Sequence, residues 1–427
     1  MHKVVIVGGG IGGILTATHL GRHLRQSSTA SVLLIDHNFA HVWKPMLHTF
    51  AAGTANYSTQ SFSFAPLAKR SGIDYWPGEL CGLDRGLKTL ELGPITLPDR
   101  RSELPGRSIP YDTLVLAIGS HSNDFRTPGV SEHCYFMDNV GQAETLNAAI
   151  RSQTIRNMDT GAETGVVIIG GVATGVELAA ELTRRIKIFS DYVSRTLSPR
   201  LHITLIETGP RLLASFREKI SRAVEDKLTK LGVDVRTGTK VVGADDHGVL
   251  LEGGQRIDAQ LRVWAAGVKA PPVAAKLGGL DINRKGQIVV RPTLQTKDDD
   301  SIFALGDCAS CTGADGRSLP TTAQVARQQG LFLARSLAGH LNGNQPLGEF
   351  KFKDMGSLVA LGDYAAYGSL GEHGLLHGAL IKGWLAKVGH ASLYRMHQID
   401  LNGFMRGSVG WLADDLMKVA RPPIKLD

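Results

Sequence analysis

Apolar residues fall in short runs that recur in a fixed order along the chain. Val4-Val5-Ile6-Val7 is a β-branched run without polar interruption, the pattern of a parallel strand buried on both faces. Glycines follow at once, Gly8-Gly9-Gly10-Ile11-Gly12-Gly13, and Ile14 to Leu24 then carries apolar residues at helical spacing. A second strand, Ser31-Val32-Leu33-Leu34-Ile35, ends on Asp36. The same order returns later, with a strand over Gly165 to Ile169 and a turn, Gly170-Gly171-Val172-Ala173-Thr174-Gly175. A helix from Val176 to Ile186 and a strand from His202 to Ile206, ending in Glu207, complete the repeat. Two such units predict an α/β chain with two Rossmann-like dinucleotide-binding domains.

The chemistry of each unit follows from its turn. In G-x-G-x-x-G, Gly8 allows the tight bend, Gly10 lets a pyrophosphate approach the backbone, and Gly13 lets the helix lie close to the sheet. The helix N-terminus then faces the phosphates, and Asp36 can accept hydrogen bonds from a ribose. In the second unit Val172 replaces the middle glycine and stands where a pyrophosphate should come close. Glu207 favours a free ribose 2′-hydroxyl and repels a 2′-phosphate, so NADH is preferred over NADPH. Two units in one chain suggest a resident flavin meeting a visiting nicotinamide, because hydride transfer needs donor and acceptor within about 3–3.5 Å.

Asp112 to Gly119 and Leu261 to Gly267 are each a strand ending in glycine, placed where the chain would cross between domains. Ser301 to Asp307 is another strand, and its terminal acid can bind flavin ribityl hydroxyls. Pro320-Thr321-Thr322 opens a helix from Ala323 to about Leu341, with Thr321 or Thr322 as N-cap, whose positive end can face the flavin.

Composition narrows the partners. Of 427 residues 50 are glycine, against roughly 30 at average usage, and the repeated turns call for such an excess. The net charge of +7 suits an acidic surface; aromatics at 6% and the lack of any long basic run favour anionic lipid over nucleic acid. Val4 to Gly21 is uncharged, but its glycine cluster fits a strand–turn–helix better than a signal or spanning segment. Four cysteines are too few for a disulfide framework. Cys308 and Cys311 lack a second pair for zinc, no metal is expected, and no paired cysteines follow Asp36 as in a flavin disulfide reductase. Cys308 is expected to pack beside the flavin turn. Near the C-terminus Leu401, Phe404, Met405, Val409, Leu412, Leu416 and Val419 form an apolar stripe at helical spacing. Arg395, Arg406, Lys418, Arg421 and Lys425 surround it with positive charge, as in a helix lying in a lipid interface. Packing on the protein's own core or in a dimer interface would give the same stripe.

Several passages together carry a family resemblance. They are His41-Val42-Trp43-Lys44-Pro45, Thr174-Gly175-Val176-Glu177, Ala304 to Ala309, Ala323-Gln324-Val325-Ala326-Arg327-Gln328 and Ser392-Leu393-Tyr394-Arg395-Met396-His397. In this order they resemble the type II NADH:quinone oxidoreductases, or alternative NADH dehydrogenases, of bacterial type; sulfide:quinone reductases, which depend on reactive cysteines, fit poorly. The resemblance implies a flavoprotein holding FAD in 1–125 and 270–345, NADH in 126–269, and a C-terminal membrane-attachment and quinone-access region over 346–427.

The resemblance also implies site residues. Gly8, Gly10, Gly13, Asp36, Lys44 and Asp307 match flavin contacts, and Gly170, Gly175, Glu177 and Glu207 match nucleotide positions, with Glu177 near the nicotinamide. Gly119, Gly306, Ala323 and Gly267 complete the cofactor-binding set. Gln324 and Gln328 match positions beside the flavin at a quinone pocket, and Lys382 stands where some members carry a pocket lysine. NADH would give a hydride to the flavin, which would reduce a membrane quinone at the cytoplasmic face of the bacterial inner membrane. No covalent catalysis and no proton pumping are expected, and homodimers are common in the family. Read without the family, the same units also fit a soluble NADH-dependent flavin oxidoreductase with another acceptor. A competing reading is a flavin-binding redox sensor whose second site has degenerated at Val172.

Overall fold

The computed structural model describes residues 1–25, 30–96, 103–192, 200–313, 315–343, 345–370 and 380–420. The chain begins with β1 (His2–Val7), α1 (Ile11–Leu24), β2 (Ala30–Asp36), α2 (Leu47–Ala52), β3 (Asp74–Pro77), β4 (Thr113–Leu116) and β5 (His121–Ser122). The middle contributes α3 (Val140–Thr160), β6 (Glu163–Ile169), α4 (Ala173–Tyr192), β7 (Arg200–Ile206), β8 (Asp234–Arg236), β9 (Leu261–Trp264) and β10 (Val268–Lys269). The last part adds β11 (Ile302–Ala304), α5 (Ala323–Gly343), β12 (Gly356–Leu361), β13 (Ala365–Leu370), β14 (Leu380–Lys382), α6 (Trp384–Asn402) and α7 (Phe404–Ala420).

Two parallel sheets arise from the two repeats. The first has the order β11-β4-β1-β2-β3, with Val5 of β1 opposite Leu33 on one side and Leu114 on the other. The second runs β8-β7-β6-β9, with Val167 opposite Thr204 and Arg262. The runs Val4–Val7 and Val166–Ile169 are apolar because both faces are covered. In the second sheet Val166 and Ile168 meet helix residues such as Val176 and Leu178, while Val167 and Ile169 meet Val241, Val249 and Leu251 of an antiparallel sheet. Val4, Ile6, Leu114 and Phe303 lie in one core cluster, Ile168, Leu178, Leu205 and Val263 in a second. Between the sheets, β5 and β10 pair antiparallel, His121 opposite Lys269, where the chain leaves the first sheet and returns.

The C-terminal part ties the two cores together. Its antiparallel sheet β12-β13-β14 sends Val359 and Leu361 into the second core, while Leu401 of α6 is buried in the first. The continuous apolar stripe expected from the sequence is corrected here. Gly403, at φ 78 and ψ 166, interrupts the helix, so Leu401 belongs to a different helix and faces inward at 0% exposure. A break of this kind resets the helical face, which periodicity counted across a glycine cannot register. Beyond it, Phe404, Met405, Val409, Leu412 and Leu416 of α7 are all exposed, by 62% or more. The side chains of Lys418 and Val419, and all of Arg421 and Lys425, lie outside the described residues. Among the described residues no helix is long and apolar enough to cross a membrane.

Candidate functional site

The two glycine turns show which glycines the fold needs and which it does not. Gly8 has φ 103, and a Cβ there would sit 2.2 Å from the Ala117 carbonyl oxygen. A Cβ on Gly13 would lie 1.9 Å from the carbonyl oxygen of Gly8. Both are demanded by the protein itself. Around Gly10, by contrast, a Cβ would meet nothing within 4 Å, and α1 has no side-chain cap there. The first-turn N–H groups of α1 therefore face open space, the arrangement that receives an anionic group.

The rest of the first unit frames that space. Asp36 is nearly buried; its Oδ2 accepts from Gly9 N at 2.5 Å and its Oδ1 from Asn38 N at 2.7 Å. At the C-terminal ends of β4 and β11, Lys44 Nζ donates to the Ser120 carbonyl at 2.8 Å, and Ser120 Oγ donates to Asp307 Oδ2 at 2.6 Å. A Cβ on Gly119, at φ 69, would likewise meet nothing within 4 Å, while Gly306 N donates to Gln329 Oε1. The room over Gly10 and Gly119, the free helix end and the acid at Asp307 fit a flavin dinucleotide.

The second turn repeats this geometry. Gly170 has φ 117, a Cβ on Gly175 would stand 2.1 Å from Gly170 O, and Glu207 accepts from Gly171 N at 2.6 Å and Gly209 N at 2.7 Å. One position differs: where Gly10 leaves a void, the Val172 side chain projects, 44% exposed. At Gly267 a Cβ would press on the Phe125 ring, so that glycine serves packing at the crossing.

A cleft of about 1970 Å³ runs between the units, reaching Val172 to Thr174 at the second turn, Ala323, Gln324 and Gln328 on α5, and Leu393, Met396 and Trp411 on the last helices. Glu177, on α4, lines it at 7% exposure, its Oε1 accepting from Ala360 N at 3.1 Å. Burial pushes the carboxyl up to about 8, against the pull of the Ala360 N–H and with Glu181 adding to the rise. Glu177 Oε2 lies 3.5 Å from His48 Nδ1. Sequence reasoning missed His48. It is brought across by α2, whose terminal carbonyls are gripped by Arg185 Nη1 (2.7 Å to Ala52 O) and Asn147 Nδ2 (3.1 Å to Ala51 O). The only hint is its place five positions after Trp43 in the segment that carries the resemblance.

Gln324 and Gln328 do share the cleft-facing side of α5, and both amides hold backbone. Gln324 Nε2 donates to Gly356 O at 3.0 Å and its Oε1 accepts from Met355 N at 3.1 Å. Gln328 clasps the backbone carbonyl and N–H of Lys353, at 2.8 and 3.0 Å. The segment they hold, 353–356, is one wall of the cleft. Thr322 is the N-cap of α5, its Oγ1 accepting from Val325 N at 3.3 Å. The backbone of Lys382 pairs with Tyr367 in the C-terminal sheet; its side chain lies outside the described residues. Cys308 is fully buried beneath the turn, donating to Leu305 O at 3.3 Å, and burial raises its thiol to about 12.

With this geometry in view, known proteins give the chain a context. Residues 2–330 match the family model of pyridine nucleotide-disulphide oxidoreductases. A type II NADH:quinone oxidoreductase of Haemophilus influenzae is 38% identical, with both chains covered in full. A Staphylococcus saprophyticus protein of the same description is 28% identical over 86% of this chain and 89% of its own. Among solved structures, an NDH2 from Plasmodium falciparum in complex with NADH shares the fold with a TM-score of 0.83 at 19% identity, over 99% of this chain and 100% of that one.

Proposed function

The chain belongs to the type II NADH:quinone oxidoreductases within the pyridine nucleotide-disulphide oxidoreductase family, and from that premise we propose which of its residues do the work. It is a flavoenzyme that oxidises NADH and reduces a quinone. Membership decides against the redox sensor that Val172 left open. FAD, when bound, supplies a two-electron acceptor that takes a hydride and gives electrons onward.

Residues 1–125 and 270–345 hold FAD. Gly8, Gly10 and Gly13 shape its pyrophosphate turn, Asp36 receives ribose, and Lys44, Gly119, Gly306, Asp307 and Ala323 border the remainder. Residues 126–269 hold NADH through Gly170, Gly175 and Glu207, which disfavours a 2′-phosphate. The observation that carries the assignment is the single cleft joining the second glycine turn to α5, with Glu177 buried in its wall.

Proton bookkeeping assigns the chemistry of that wall. NADH, quinone and one proton give the oxidised nucleotide and quinol, so each turnover draws one proton from solvent. Glu177, neutral below about 8, carries that proton at neutral pH, and His48 Nδ1, 3.5 Å from Oε2, restores it. Gln324 and Gln328 keep the 353–356 wall at the depth the quinone ring requires, and Lys382 stands on the adjoining sheet.

The exposed apolar side of α7, with Arg406 beside it, rests on an anionic membrane. Trp411 of the same helix lines the cleft, so a lipophilic quinone enters from the bilayer without crossing water. The protein is thereby peripheral, on the cytoplasmic face where NADH is supplied; a second copy seated on α7 is the competing occupant. Purified protein given NADH and a soluble quinone in lightly buffered medium should consume one proton per quinone reduced, read by a pH dye. NADH oxidation indifferent to quinone would overturn the assignment.

A further inference from the structure

Two histidines that the mechanism does not use lie behind the cleft. His41 and His397 are 3% and 0% exposed, and their Nε2 atoms are 2.8 Å apart. His41 Nδ1 stands 2.7 Å from the carbonyl oxygen of Gly9, inside the first glycine turn. A carbonyl only accepts, so His41 Nδ1 carries the proton and its Nε2 in the neutral ring offers a lone pair. His397 Nε2 must donate into it. Burial lowers His41 to about 4, against the Gly9 carbonyl and Asp36, and lowers His397 well below its ordinary value, with His41 and Arg327 adding to the fall. Both rings are therefore neutral and both tautomers are set. Trp43 packs on His397 with centroids 4.5 Å apart, and Phe62 closes the edge at 6.1 Å. His397 Nδ1, the last lone pair, is buried without a hydrogen-bond partner among the described residues.

The pair joins two separate pieces of the molecule. On one side is Gly9, flanked by Gly8 and Gly10, with its N–H already on Asp36. On the other is α6, whose last turn is seated by three guanidinium groups. Arg327 makes two hydrogen bonds to the Asp400 carboxylate, Arg22 Nη2 donates to Leu401 O at 2.7 Å, and Arg70 Nη2 donates to Asn402 Oδ1 at 2.8 Å. Cations there also complement the C-terminal end of the helix dipole. Gly403 and the exposed helix α7 come next.

We propose that His41 and His397 are positioning residues, a tautomer-ordered imidazole bridge through which seating of the C-terminal helices stabilises the flavin turn. Flavin retention and docking of α6 and α7 are then one linked equilibrium, each favouring the other by the same factor. The proposal rests on the first turn holding FAD. Charged groups facing the pair are Asp36 from β2 and Arg327 from α5, the latter paired with Asp400 of α6. The sign of the pH effect follows: with folded values below 6.5, the opened state binds the extra protons, so the bridge holds above about 6.5 and is lost as pH falls toward about 4.

The test uses FAD-loaded full-length protein. Flavin release is followed by recovered fluorescence from pH 4 to 8, with limited proteolysis around Gly403 in parallel. His397→Gln keeps a donor for His41 without titrating, so it should retain flavin at pH 7.5 and release it at a midpoint shifted to lower pH. His397→Leu leaves His41 Nε2 unpartnered, and flavin retention should weaken about tenfold at pH 7.5 with faster cleavage near Gly403. Equal behaviour of the two variants overturns the bridge. Should the leucine variant not fold, an unshifted release midpoint in His397→Gln overturns it alone. Gly10→Val, whose Cβ would enter only open space, should retain flavin about tenfold less well than wild type; retention equal to wild type would sink the cofactor placement itself rather than the bridge.

Discussion

Replacing Glu177 by glutamine separates the proton it carries from the space it fills. Glutamine keeps the volume and the oxygen that accepts from Ala360 N, but it cannot ionise. The carboxyl rises from 4.5 to about 8 on folding, which corresponds to roughly 5 kcal/mol against its charged form. Between those two values the folded state holds a proton that the unfolded chain has lost, so wild-type stability falls as pH rises, by about 1.4 kcal/mol per pH unit. The penalty is absent below 4.5 and complete above about 8. Thermal unfolding of the FAD-loaded proteins should therefore coincide near pH 5. By pH 8.5 the variant should melt higher, by about 5 °C. Turnover with quinone should move the other way, falling about 100-fold at pH 7 through loss of the proton donor. A variant that melts with wild type at pH 8.5 would show that Glu177 ionises in the folded protein at its ordinary value, with no penalty from burial. A variant that also keeps full turnover would remove it from the proton path.

Other consequences are direct. Val172→Gly should bind NADH about tenfold tighter, since relieving a side chain from a crowded contact is worth about 1–3 kcal/mol; equal or weaker binding in a fluorescence titration would refute the steric reading. Leu412→Asp combined with Met405→Asp should leave flavin bound and soluble-quinone turnover intact while abolishing co-sedimentation with anionic liposomes. Co-sedimentation retained, or a dimer in wild type that the pair disrupts in light scattering, would give α7 to another occupant. Cys308→Ala should keep turnover within about twofold, and native-state thiol labelling should find Cys81 but not Cys308, whose thiol stays neutral and buried.

Much of the fold, and the turns that frame the candidate site, can be read from local pattern. Gly8, Gly13, Gly170 and Gly175 are identifiable because each turn packs against atoms only a few residues away in sequence or in the adjoining strand. Asp36 and Glu207 follow from the strand that each one ends. What stays hidden depends on long-range assembly. His48 meets Glu177 only after α2 is docked by Arg185 and Asn147, and His41 meets His397 across most of the chain. The grip of Gln324 and Gln328 on residues 353–356 is equally invisible to spacing, which shows that two amides share a helix side and not what they hold. Leu401 lies on a different surface from the one its spacing predicts, because helical periodicity continues in the sequence past Gly403 while the helix itself does not.

One protein-bound flavin, reduced from the second glycine unit and reoxidised by quinone, is the core of this enzyme. Anaerobic stopped-flow mixing of the FAD-loaded protein with one equivalent of NADH tests it most directly. The visible flavin band should bleach completely, and a following pulse of quinone should restore it with one quinol formed per NADH. A band that NADH leaves unchanged, or one that stays bleached when quinone is added, would contradict it.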